Sequence, residues 1–192
     1  VALDMSQSRS ELSSFPASAF GGTQSSPNTK LQSVRFPSNM TAIESGAFAY
    51  NTSLESVDLS TITTLGDEAF LNSGLKTVRV DKQVTSLGLR TFYNCFQLEE
   101  IYFNATDPAL PEFGSAKRKD FYTFAFDSSY KSSHTVDMVA IIGPDTRLPR
   151  YAFIYNANMV KIVFEYEGSE NLRMGNNSIH TNNYLSCVEL KG

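Results

Sequence analysis

The stretch Leu54-Glu-Ser-Val57-Asp-Leu59 returns as Leu75-Lys-Thr-Val78-Arg-Val80 and again as Leu98-Glu-Glu-Ile101-Tyr-Phe103. Apolar residues stand at positions 0, +3 and +5 of each copy. Positions +2 and +4 face the other way, which is the alternation of a strand buried on one side only. The spacing recurs at Leu31-Val34-Phe36, Val136-Val139-Ile141, Met159-Ile162-Phe164 and Leu185-Val188-Leu190, and Val1 with Leu3 reads as the cut end of an eighth copy.

A second pattern interleaves with the first: an aliphatic residue five places before an aromatic that often follows Ala. It reads Ile43-Glu-Ser-Gly-Ala47-Phe48, Leu65-Gly-Asp-Glu-Ala69-Phe70 and Leu87-Gly-Leu-Arg-Thr-Phe92. Looser copies run from Phe15 to Phe20, Phe121 to Phe126, Leu148 to Phe153 and Met174 to Ile179. Measured on the aromatic slot, the steps are 28, 22, 22, 34, 27 and 26 residues. One ring per repeat is expected inside, with Phe20, Phe48, Phe70, Phe92, Phe126 and Phe153 as a column and the small Ala making room. Asn51, Asn156 and Asn182 lie three residues past the aromatic, where an amide can satisfy turning backbone groups. A repeat this short cannot bury its own apolar side, so neighbours must stack, and the expected fold is a β-rich solenoid of about seven repeats with one parallel sheet face.

Composition narrows the function. The chain has 192 residues, 41% of them hydrophobic, with 14 Phe, 9 Tyr and no Trp. Sixteen basic against twenty acidic residues leave a net charge of −4, which argues against a nucleic-acid partner. No apolar run is long enough for a membrane helix. Cys95 and Cys187 are the only cysteines and His134 and His180 the only histidines, so neither a disulfide scaffold nor a metal site is expected. Cys95 takes a slot held by Asn elsewhere and reads as a buried structural thiol, while both histidines read as surface residues. The chain starts at Val1 with no export signal, and 24 Ser and 13 Asn against two Cys resemble a secreted composition. Any signal or anchor is expected outside this chain.

The tags Ile62-Thr-Thr-Leu65-Gly66, Val84-Thr-Ser-Leu87-Gly88 and Phe92-Tyr-Asn-Cys95, joined to the strand pattern, resemble the BspA-type leucine-rich repeat of bacterial surface proteins. Residues 31–103 carry the likeness most closely. The later copies lack the Gly. The resemblance implies an α/β right-handed superhelix and a non-enzymatic, extracellular adhesion module on the bacterial cell surface. Its partner would be a protein of a host or neighbouring cell. A structural spacer within a larger surface protein and a glycan-binding accessory protein are the alternatives.

One domain over 1–192 is expected, with irregular loops at 21–30, 104–120 and 127–135, the second including Lys117-Arg118-Lys119. In solenoids such insertions gather on loops, often at the binding side. The outward +4 column reads Arg35, Asp58, Arg79, Tyr102, Ala140, Val163, Glu189, and the +2 column Ser33, Ser56, Thr77, Glu100, Met138, Lys161, Cys187. Arg35, Asp58 and Arg79 can pair across strands as an ion ladder. Tyr102, Met138, Ala140, Ile142 and Val163 would form an exposed apolar strip. Such a strip marks a binding patch unless the 104–120 insertion folds over it. Candidate binding residues are therefore Arg35, Asp58, Arg79, Glu100, Tyr102, Met138 and Val163. Catalytic residues, cofactors and metals are not expected: there is no nucleophile elbow or phosphate loop. Glu99, Glu100, Asp107 and Glu112 lack the cleft a carboxylate pair needs. The expected oligomeric state is a monomer.

Overall fold

The computed structural model describes residues 1–7, 13–105, 123–127, 129, 133–144, 146–149, 151–165, 173–174 and 178–192. The 104–120 loop beyond Ala105, with Asp107, Glu112 and Lys117 to Lys119, lies outside these residues, as does Phe121.

The 0, +3, +5 copies form short parallel strands. Strands β1 (Ala2–Asp4), β3 (Ser33–Arg35) and β5 (Ser56–Val57) make a three-stranded sheet. Strands β7 (Thr77–Val80), β9 (Glu100–Phe103), β10 (Met138–Ile142), β12 (Met159–Glu165) and β14 (Cys187–Lys191) make a five-stranded one, each paired with the equivalent strand of the adjoining repeat. The two sheets meet where the Lys76 N–H donates to the Glu55 carbonyl at 3.0 Å. Leu3 pairs with Val34 in register, so the N-terminal residues do supply an eighth strand.

The aliphatic residues five before the aromatics form a second set of parallel strands. These are β2 (Ser14–Phe15), β4 (Ala42–Ile43), β6 (Thr64–Leu65) and β8 (Ser86–Leu87), with β11 (Arg147–Leu148) pairing β13 (Arg173–Met174). Phe15, Ile43, Leu65, Leu87 and Leu148 are all buried there.

No α-helix occurs among the described residues, which corrects the α/β expectation. The aromatic segment, where a helix would run, is interrupted by left-handed residues two before or two after the aromatic slot. Gly46, Glu68, Arg90 and Tyr151 hold the first place, and Tyr50, Asn72, Asn94, Tyr155 and Thr181 the second, all at φ between 53° and 63°. A right-handed helix cannot include such residues. Alternating backbone instead lets every second N–H reach the next repeat: Gly46 to Asp67 O at 2.9 Å, Phe48 to Ala69 O at 2.8 Å and Tyr50 to Leu71 O at 2.6 Å. The ladder repeats from each copy to the next.

The rings stack along this ladder. Centroids step 6.0 Å from Phe20 to Phe48, then 5.5 Å to Phe70, 5.3 Å to Phe92, 5.1 Å to Phe124 and 5.2 Å to Phe153, with interplanar angles of 14° or less. The expected member Phe126 is displaced by Phe124. Phe92 N–H donates to Thr123 O and Phe124 N–H to Ala152 O, so Thr123 takes the Ala slot, as Thr91 does one repeat earlier. Phe126 packs edge-on against Phe96 at 4.7 Å.

Three residues past the ring, a side chain ties three of the repeats to the one before. Asn51 Nδ2 donates to Phe20 O at 2.8 Å, Cys95 Sγ to Phe70 O at 3.1 Å, and Asn156 Nδ2 to Phe124 O at 2.8 Å. Asn182 donates within its own repeat, to Ile179 O. The glycines before the turn serve the same stacking: a Cβ on Gly88 would lie 2.4 Å from both Asp67 N and the Gly66 carbonyl carbon.

Candidate functional site

The outward positions of the strands form the candidate surface, and its composition changes along the stack. At the N-terminal end Arg35 approaches Asp4 at 4.0 Å across adjacent strands, while Asp58 Oδ1 accepts the Ser60 N–H at 3.0 Å. Arg79 turns to its own strand and grips Asp81 in a two-pronged contact at 2.6 and 2.8 Å. The expected Arg35–Asp58–Arg79 ladder is thus replaced by Asp4–Arg35 and Arg79–Asp81 pairs. The side chains of Asp4, Arg35 and Arg79 are largely solvated while Asp81 is half-buried, and pairs with such exposure contribute little to stability.

In the middle of the surface the groups converge. The Arg79 guanidinium lies over the Tyr102 ring at 3.9 Å from its centroid, a cation–π contact. Tyr102 donates its hydroxyl to Glu165 Oε2 at 3.5 Å. The hydrogen bonds to Asp81 hold Arg79 still more firmly protonated than usual. Partial burial, with the Glu165 charge behind it, raises the Tyr102 hydroxyl above the ordinary tyrosine range. Register places Ile141 beside Tyr102 and Val163 beside Ile141, with Val139 next to Glu100 in the parallel row. Val139 and Ile141 are half-buried, Glu100 is exposed, and Val163 is buried at 8% exposure.

Met138, expected on this surface, lies in the core at 0% exposure, as do Ala140 and, at 1%, Ile142. The predicted register of this strand is one residue out. Met138 to Ile142 is an unbroken apolar run with no alternation to read. The register comes from Val139 N–H on Glu99 O and Gly143 N–H on Phe103 O, both 2.9 Å. The apolar strip survives with different members: Tyr102, Val139, Ile141 and Val163. Asp81 and Glu165 were legible in principle, since each continues the outward alternation one step past its strand's +4 position.

The outer rim is charged. Lys161 pairs with Glu189, which raises the amine and lowers the carboxyl from their ordinary values through their shared hydrogen bond. Beyond this face, Cys95 is fully buried, accepts or donates with Ser73 Oγ at 3.3 Å, and has its thiol pushed up to about 11 by burial. Cys187 is an exposed free thiol. His134, expected as a plain surface residue, is held by Ala157 O and Asp137 Oδ1, each at 2.9 Å. Among the described residues no group of three or more His, Cys, Asp or Glu could hold a metal, and no helix is long and apolar enough to cross a membrane.

Residues 22–116 match the family model of the BspA type leucine-rich repeat region in six copies. The chain is also similar to the crystal structure of a leucine-rich repeat protein from Bacteroides ovatus. The two are 12% identical, the alignment covers 99% of this chain and 69% of that one, and the TM-score is 0.33. No curated protein matches the chain.

Proposed function

Residues 22–116 of this chain belong to the BspA-type leucine-rich repeat family, and from that premise we propose that the chain is a protein-recognition module of a bacterial cell surface. The family is generally a non-enzymatic, surface-associated repeat scaffold. In this reading the repeats of 1–192 wind as one right-handed solenoid, and the strand face meets a protein of a host or neighbouring cell.

The carrying observation is the Arg79–Tyr102 stack at 3.9 Å beside the half-buried Val139 and Ile141. Aromatic and Arg side chains dominate interface hot spots, and an apolar centre with a charged rim is the usual anatomy. Arg79 is pre-oriented by Asp81 and Tyr102 by Glu165, so little side-chain freedom remains to be lost on binding. Arg35, Asp58 and Glu100 would form the polar rim on the N-terminal side, and Val163 the far edge of the apolar strip.

The test is adhesion of the immobilised chain to a panel of extracellular-matrix and host-cell surface proteins. A binder should lose affinity by about tenfold or more in Tyr102→Ser/Ile141→Ser, with the melting temperature kept. A spacer would bind none of the panel, and unchanged affinity in the double variant would move recognition off this face.

A further inference from the structure

A groove that shares no residue with the strand-face patch runs along the turn after the aromatic segments. It has a volume of about 300 Å³, and among the described residues ten line it, none of them charged. We propose that this groove binds a neutral saccharide.

The geometry begins with Tyr50, Asn72 and Asn94, which occupy one slot in three successive repeats. All three are left-handed, at φ 57°, 53° and 59°. Their backbones are locked by ladder bonds: Tyr50 N–H to Leu71 O at 2.6 Å, Asn72 N–H to Tyr93 O at 2.9 Å, and Asn94 N–H to Ala125 O at 3.0 Å. Two steps of about 4.8 Å make a row of roughly 10 Å, the length of a disaccharide. Asn94 is fixed further, since its Oδ1 accepts the Asp127 N–H at 2.8 Å.

The floor and wall have separate origins. At Gly74 a Cβ would stand 2.1 Å from Thr52 O, so the row between Thr52 and Phe96 stays flat. Gln24 comes from the 21–30 insertion, the same loop that lengthens the first repeat step from 22 to 28 residues. The insertion is tied down by Gly22 N–H to Ala49 O at 2.8 Å and Asn28 N–H to Tyr50 O at 2.9 Å. A loop that merely bulged into solvent would not need to close the groove at this edge.

The chemistry selects the ligand class. Gln24, Asn72, Asn94 and Gln97 each offer a carboxamide with both donors and acceptors, and Tyr50 and Thr52 add hydroxyls that do both. A sugar ring presents the matching mixture around its edge. Its C–H faces need apolar partners, and Tyr50 and Phe96 are the aromatic members of the lining. With no charged side chain among the described lining residues, an acidic sugar, a phosphate or a charged peptide finds no counter-ion there. In a chain of 36 charged residues, 16 basic and 20 acidic, such a stretch of amides and rings is distinctive.

The test is isothermal titration against neutral hexasaccharides: α- and β-linked glucans, a mannan and an N-acetylglucosamine oligomer, with oligogalacturonate as the acidic control. At least one neutral hexamer should bind, and Asn72→Gly/Gln97→Ala should weaken it about tenfold or more. Gly at position 72 keeps the left-handed backbone, so the melting temperature reports whether folding has been spared. Tyr102→Ser should leave this affinity unchanged, which separates the groove from the strand face. Silence across the panel, equal binding of oligogalacturonate, or full affinity in the groove variant would each overturn the proposal.

Discussion

Residues 31–103 and residues 123–192 build the same stack by different means. The first stretch keeps two steps of 22 residues, carries Gly66 and Gly88 in the turn, and presents outward residues that are charged or polar. The second has longer steps, Pro149 where those glycines stand and an apolar outward strip. Yet ring spacing is 5.5 and 5.3 Å in the first and 5.1 and 5.2 Å at Phe124 in the second. The interior is therefore set by the backbone ladder and by the shape each slot admits. Departures from the repeat consensus fall on the turns and the outer face, where a protein can vary without opening its core.

The sharpest way to break this equivalence is to remove a ring from each half. Phe70→Ala and Phe153→Ala, both at fully buried sites, should each cost about 3–5 kcal/mol by denaturant unfolding. If the second half owed its order to its loops, Phe153→Ala would cost far less than its counterpart. The ring-plus-three slot comes next. Asn156 accepts from the N–H groups of Asn158 and Met159 as well as donating to Phe124 O. Asn156→Ala strands these buried partners and should cost about 2–3 kcal/mol. Ser73→Ala, in the same slot of the first half, removes one hydrogen bond to the Cys95 thiol and should cost about 1 kcal/mol or less.

Turn packing offers a smaller contrast. Gly88→Ala must push apart the backbones of two repeats and should cost about 1–3 kcal/mol, read from the same unfolding curves. The thiols give the mildest effect. A thiol reagent at neutral pH should label Cys187 and spare Cys95 until the chain unfolds. Because burial raises the Cys95 thiol from an ordinary 9.0 to about 11, the folded chain holds that proton more tightly than the unfolded one. Its stabilising effect is complete below about pH 9 and is lost as pH climbs through about 11. Cys95→Ala should flatten that alkaline slope in melts taken across the range.

Legibility followed periodicity. Wherever polar and apolar residues alternate, as in Leu75 to Val80, the observed strand and its buried face match the sequence reading. Where three Phe crowd into six residues at 121–126, or five apolar residues follow one another at 138–142, several registers satisfy the same pattern. There the expected ring was off by two residues and the expected outward face by one. The candidate residues Arg79, Tyr102 and Val163 were identified from alternation, but their partners Asp81 and Glu165 were not, because the reading stopped at the +4 position.

What the sequence determined by itself is the repeat: its period, its ring column, its parallel strands and its interior amides. These follow from one residue type recurring at one spacing, and every copy votes for the same answer. What only the tertiary structure decided is which of two equally apolar faces points inward in β10, and that the aromatic segments run as ladders without helix. It also decided which outward charges meet, and that a loop between repeats closes a neutral groove. These depend on hydrogen bonds between residues 20 to 60 apart in the chain, whose geometry no local pattern carries.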